Sequence, residues 1–136
     1  MPNGEVFVGG GVYSSLLTLL IPTATNDARR YVPSTNTWSS AGTMPANVAL
    51  QGQVLLKNGK CHVSGGGTGA LLSFSVVANC ATRVGGSAAL TSTNPLPAAR
   101  GTHLAVRMWD GSVLIVGGAD ASGIAVDTNL LYTPTP

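Results

Sequence analysis

The chain has 136 residues, 44% of them hydrophobic and only 9% charged, with 18 glycines and 8 prolines. That length bounds it to one domain, and the composition excludes a disordered tail, which needs low hydrophobicity and high charge. Seven Lys and Arg against five Asp and Glu leave a net charge of +2, with the basic residues scattered apart from Arg29-Arg30, so no footprint for a phosphate backbone exists and no nucleic-acid partner is expected.

In chain order, the first signal is Asn3-Gly4, followed by a short run that ends at Gly10-Gly11 and reads as a strand. Val12 to Asp27 reads as a long loop. Its run Leu16-Leu17-Thr18-Leu19-Leu20-Ile21 is the most apolar in the chain, but it stops at Pro22. A membrane-crossing helix needs about 20 apolar residues, so no membrane span is expected there. Nor is the run a secretory signal, because the stretch ahead of it, from Met1 to Ser15, contains no Lys or Arg; an exported protein would carry its signal outside this chain. Tyr31-Val32-Pro33 closes the next strand, and another is expected around Thr37-Trp38-Ser39-Ser40.

Pro45 then leads to a second turn dipeptide, Asn58-Gly59, and Gly65-Gly66 follows. A turn near Gly69-Ala70 leads into a strand that reaches Cys80. Pro97 precedes a third turn dipeptide, Asp110-Gly111, at the same offset as Pro45 precedes the second. Thr102 to Met108 reads as the strand before it. Val113-Leu114-Ile115-Val116 reads as the strand after it, a continuous apolar run of the kind buried on both faces. After Gly117-Gly118, Leu130-Leu131-Tyr132 reads as a third strand ahead of Pro134. The Asn/Asp-Gly dipeptides supply the positive φ angles of tight hairpin turns. No segment has a helical period, and the glycines and prolines would break one.

The turn dipeptides and the glycine pairs recur with periods of 55 and 52. Four short antiparallel strands per period of about 50 residues is the sequence form of a propeller blade. The chain resembles kelch repeats. A glycine pair ends the second strand (Gly10, Gly11; Gly65, Gly66; Gly117, Gly118), Tyr-x-Pro ends the third (Tyr31, Tyr132), and Asn-Thr-Trp opens the fourth with Trp38. The middle repeat is degenerate, with Cys80 where the spacing puts the tyrosine and no tryptophan.

The resemblance implies an all-β fold of kelch-type blades with four antiparallel strands each. One partial propeller of about 2.5–3 blades is expected over residues 1–136: blade 1 about 1–46, blade 2 about 47–98, blade 3 about 99–136. By role, the first repeat holds strands two to four, the middle one all four, and the last one strands one to three. A propeller closes with roughly four to eight blades. The chain is therefore expected to be a segment of a longer propeller, or a subunit of a homo-oligomer whose blades complete one ring, since uncovered edges and faces invite aggregation.

Cys61 and Cys80 are the only cysteines. A turn centred on Gly69-Ala70 sets them opposite each other, about 4.5 Å apart at Cα in a non-hydrogen-bonded pair. They read as a cross-strand disulfide, which implies an oxidising compartment, as two buried thiols, or, the least favoured reading, as residues with a metal or catalytic role. His62 aligns with Phe7 and Leu114 and reads as a hydrogen-bonded core histidine. Neighbouring strand residues point to opposite faces, so Cys61 and His62 do not ligate one ion. His103, in the Arg-Gly-Thr-His context common to kelch-like sequences, reads as structural. Gly65-Gly66-Gly67-Thr68-Gly69 lacks the Lys-Ser/Thr pair and the helix of a phosphate loop and reads as a blade turn. Trp38 is expected to pack between blades. Trp109, beside a turn, is open to sugar stacking, to a protein contact or to local packing. Leu16, Leu17, Leu19, Leu20 and Ile21 sit on a rim loop, where binding concentrates, and are expected to be buried against a neighbouring blade, another subunit or a protein partner.

The kelch resemblance points to a non-catalytic binding or scaffold module that recognises a protein, a surface or a second copy, with no cofactor, metal or catalytic residue expected. Carbohydrate is a further ligand class that Trp109 leaves open. Few charges and many Gly, Ser and Thr lean toward an extracellular or cell-surface setting. The alternative is a fragment of a copper enzyme resembling galactose or glyoxal oxidase. Those need a cysteine-crosslinked tyrosine, a second tyrosine and two histidines. This chain offers only Tyr13, Tyr31 and Tyr132 and no cysteine in a comparable context, so no complete copper site is expected.

Overall fold

The computed structural model describes residues 1–18, 21–70, 73–85, 87 and 90–133. Leu19, Leu20 and Pro134 lie outside them. The strands are β1 (Val6–Gly9), β2 (Val12–Tyr13), β3 (Thr23–Val32), β4 (Thr37–Val48), β5 (Gly52–Leu55), β6 (Cys61–Ser64), β7 (Gly67–Thr68), β8 (Ser75–Val76), β9 (Cys80–Arg83), β10 (Thr91–Thr93), β11 (Leu104–Arg107), β12 (Val113–Val116) and β13 (Asn129–Tyr132). The one helical element among the described residues is a 3-10 turn, Leu16–Thr18.

Three larger antiparallel sheets follow one another along the chain, and β7 and β8 pair as a separate two-stranded sheet. The first is ordered β1-β3-β4, with β2 pairing farther along β3; the second is β5-β6-β9-β10; the third is β11-β12-β13. The fold is thus all-β and propeller-like without closure, and the three meanders hold the strand roles expected from the repeat. The expected long loop from Val12 to Asp27 is shorter than expected, because β2 takes Val12–Tyr13 and β3 begins at Thr23, which extends the first hairpin. The expected short strand at Thr37–Ser40 continues to Val48.

The same turn leads into β1, β6 and β12. Gly4, Gly59 and Gly111 have φ of 80°, 78° and 98°, and their amides donate to the carbonyls of Met1, Leu56 and Met108. Asn3, Asn58 and Asp110 do not share the positive φ. Their Oδ1 atoms instead accept the backbone N–H two residues on, from Glu5, Lys60 and Ser112. The turn is therefore a type I turn closed by a left-handed glycine, rather than a two-residue turn with both central angles positive.

The core lies between the sheets. Ala28, Ala41, Met44 and Val48 of the first sheet meet Val63 and Ala81 of the second, with Leu90 beside them and Phe7 packed against the cluster. Leu56, Cys80 and Leu96 of the second meet Val113, Ile115 and Tyr132 of the third. Every residue of β6 is buried, because β6 has a sheet on each side. In β12 only Val113 and Ile115 are buried, whereas Val116 is exposed and Leu114 half-buried, so the expectation of burial on both faces fails there. The physical reason is position: β12 belongs to a terminal sheet and has a neighbour on one side only.

Candidate functional site

Strand register fixes which side chains meet between sheets. Val6 faces Tyr31, Cys61 faces Arg83 and Val113 faces Tyr132. Val6, Cys61 and Val113 are equivalent by the periods of 55 and 52. The residue of the middle repeat at the tyrosine position is therefore Arg83, not Cys80. Counting from the glycine pair misses it because β7 and β8 pair as a small hairpin extension that lengthens this connection by three residues relative to the last repeat. Cys61 and Cys80 are consequently out of register. Cys80 faces Ser64, and both cysteines are free and buried, so the opposed pair expected from a turn at Gly69-Ala70 does not form. Farther along, the Ser73 backbone N–H donates to the Ala70 carbonyl. Burial pushes both thiols up to about 11, so they stay protonated near neutral pH and are poor nucleophiles.

Second-strand and third-strand residues of consecutive sheets stack on one another. The Arg83 guanidinium lies over the Phe7 ring, 5.0 Å from its centroid, and His62 stacks on Tyr132 with centroids 4.7 Å apart and planes 19° from parallel. Phe7 and His62 are repeat equivalents, as are Arg83 and Tyr132, so one contact is used twice with different chemistry. His62 is fully buried, yet neither ring nitrogen finds a hydrogen-bond partner, contrary to the expectation for a core histidine. Burial lowers its pKa to about 4 and keeps it neutral.

The glycine pairs serve the same junctions. Gly10 and Gly65, at φ of 67° and 57°, sit where a Cβ would collide with the carbonyl oxygens of Val48 and Arg100. The next glycine of each pair donates to that same carbonyl, Gly11 to Val48 at 2.8 Å and Gly66 to Arg100 at 2.7 Å. Positive φ and close approach of the next sheet's lead-in both demand glycine. Gly117 and Gly118 keep the positive φ, but no atom approaches the Cβ position of Gly117 closer than the Val126 oxygen at 3.8 Å.

His103 and Ser64 approach at 3.3 Å between Nε2 and Oγ. Ser64 is fully buried and His103 Nδ1 has no partner, so the pair lacks both the orienting acid and the access that a nucleophilic serine needs. It ties the second sheet to the lead-in of the third. Arg100, also buried, donates from Nη2 to Thr128 Oγ1 at 3.1 Å. Among the described residues no three His, Cys, Asp or Glu side chains converge on a metal-sized site. A groove of about 340 Å³ runs between the Met44–Val48 part of β4 and the second sheet, lined by Val63, Cys80, Ala81 and Thr93 among others.

The other expected contact residues lie on the surface. Leu16 and Leu17 are 85% and 97% exposed on the 3-10 turn, while Ile21 is half-buried. Leu16 and Leu17 are thus not buried against a neighbouring sheet. Downstream of them, in β3, Thr25 donates to the Gly11 carbonyl and Ala24 to that of Gly69. Trp109 is 95% exposed at the opposite end of the strands, since it precedes β12 whereas the Leu16 turn follows the equivalent β1 and its extension β2. Trp38, expected between blades, is 59% exposed and packs beside Tyr31, 5.2 Å between centroids. Arg83 and Ser64 escaped sequence reasoning; Arg83 stands where the other two repeats have Tyr31 and Tyr132. No protein-family model matches the chain, and no curated protein matches it.

Proposed function

We propose that the chain is a non-catalytic binding and scaffold module of a kelch-type propeller, acting on a protein partner through the rim that carries the β2–β3 loop. The observation that carries this reading is the pair Leu16 and Leu17, presented to solvent on a short turn whose flanks are hydrogen-bonded to two sheets. Large apolar side chains held outward on a rigid scaffold favour association over folding. A photo-crosslinking side chain at position 17, with one at Ser34 on the opposite rim as control, tests it in the source cells. A discrete protein adduct at 17, lost when Leu16→Ser is added and missing at 34, is the expected result. Equal or no adducts at both positions would overturn the reading.

A further inference from the structure

The two ends of the stack expose the two halves of a contact that the chain makes twice inside. Internally, the second-strand residue of one sheet lies on the third-strand residue of the following sheet, Phe7 on Arg83 and His62 on Tyr132. The equivalents left over are Leu114 in the last sheet and Tyr31 in the first. Register and strand alternation put Leu104, Val106, Val116 and Leu131 on the same face as Leu114. All four are exposed, Leu104 at 63% and Leu131 at 60%. On the first sheet, register and alternation group Val6, Val8, Tyr31 and Trp38 on one face, with Arg29 already paired to Asp27 at 2.8 Å. Among these residues, neither face therefore brings an unpaired charge into an interface.

We propose that these two faces dock on each other between copies of this chain, head to tail, with Leu114 of one copy seated on Tyr31 of the next. A second copy fits because it offers, in the same strand positions, the surface that covers the equivalent faces inside the chain. The faces differ, so the contact is heterologous, and it closes into a ring if the rotation per sheet allows. Two copies bring six sheets, within the roughly four to eight of closed propellers. This rests on the scaffold reading but uses sheet faces, not the rim.

The test uses the 136-residue chain and light scattering after size exclusion. The wild type should run as a complex of copies of the 13.7 kDa chain. Leu114→Asp and Tyr31→Asp should each be monomeric, and an equimolar mixture should form a one-to-one dimer, because each variant keeps the face the other has lost. Leu131→Lys and Val8→Lys, at exposed positions, repeat the pairing should either first variant fail to fold. Leu16→Ser/Leu17→Ser should associate as the wild type does, which separates failure here from failure of the rim reading. A monomeric wild type, as expected if a different protein covers these faces, would overturn the proposal. So would variants that associate as wild type, or a mixture that stays monomeric.

Discussion

Replacing His62 with leucine, the residue at the equivalent position 114, removes a buried imidazole whose two nitrogens have no partner. The folded-state pKa of His62 is lowered from 6.5 to about 4 by burial. Between those values the unfolded chain holds a proton that the folded chain refuses, so falling pH favours unfolding. The stability that His62 withholds in acid is about 3 kcal/mol; the loss begins below about pH 6.5 and is complete near pH 4. At pH 7 the leucine variant gives up a ring stack of about 0.5–1.5 kcal/mol and sheds unsatisfied nitrogens costing about 1–3 kcal/mol, so it should be at least as stable as the wild type. Burial lowers the His103 pKa too, and that loss in acid is common to both proteins. Urea unfolding at a fixed protein concentration, from pH 7 down to pH 4, reads the difference. The variant's advantage should grow by about 3 kcal/mol across that range. Parallel stability curves would refute the placement of a neutral, unpartnered imidazole between the second and third sheets.

Thiol titration without reductant should find both cysteines reactive in denaturant and neither reactive at neutral pH in the native state; no titratable thiol in denaturant would restore the disulfide. Thr102 has φ of 54°, like its repeat equivalent Leu50 at 59°, and a left-handed β-branched residue costs on the order of 1–2 kcal/mol. Thr102→Gly should therefore raise stability by about 1 kcal/mol after the glycine entropy cost, and a loss would contradict the strain. Ile115, fully buried, should cost about 3 kcal/mol when cut to alanine, whereas Leu131→Ala in a dissociated chain should cost under about 1 kcal/mol. Equal losses would mean that the third sheet is covered on both faces within one chain.

Strand order was legible because the turn dipeptides and glycine pairs each answer a fixed backbone demand, at the type I turn and at the close approach of Val48 and Arg100 carbonyls. What periodicity could not show was connection length. The path from Val6 to Tyr31 is longer than that from Cys61 to Arg83, which in turn is longer than that from Val113 to Tyr132. The last repeat's spacing, carried to the middle one, lands on Cys80 and aligns the cysteines by the same error. Arg83 was hidden because a buried guanidinium held over a phenyl ring satisfies the position by a cation–π contact that apolar patterning does not score. The apolar character of Leu16, Leu17 and Trp38 argued for burial, but burial depends on whether a sheet lies opposite, which is a property of the stack and not of local sequence.

Sedimentation equilibrium of the 136-residue wild-type chain at neutral pH bears most directly on the claim that this stack of three sheets works through association. A mass above 13.7 kDa that falls toward the monomer on dilution, or when Leu114 or Tyr31 is made acidic, is the expected result. A single ideal species of 13.7 kDa at every concentration would contradict it.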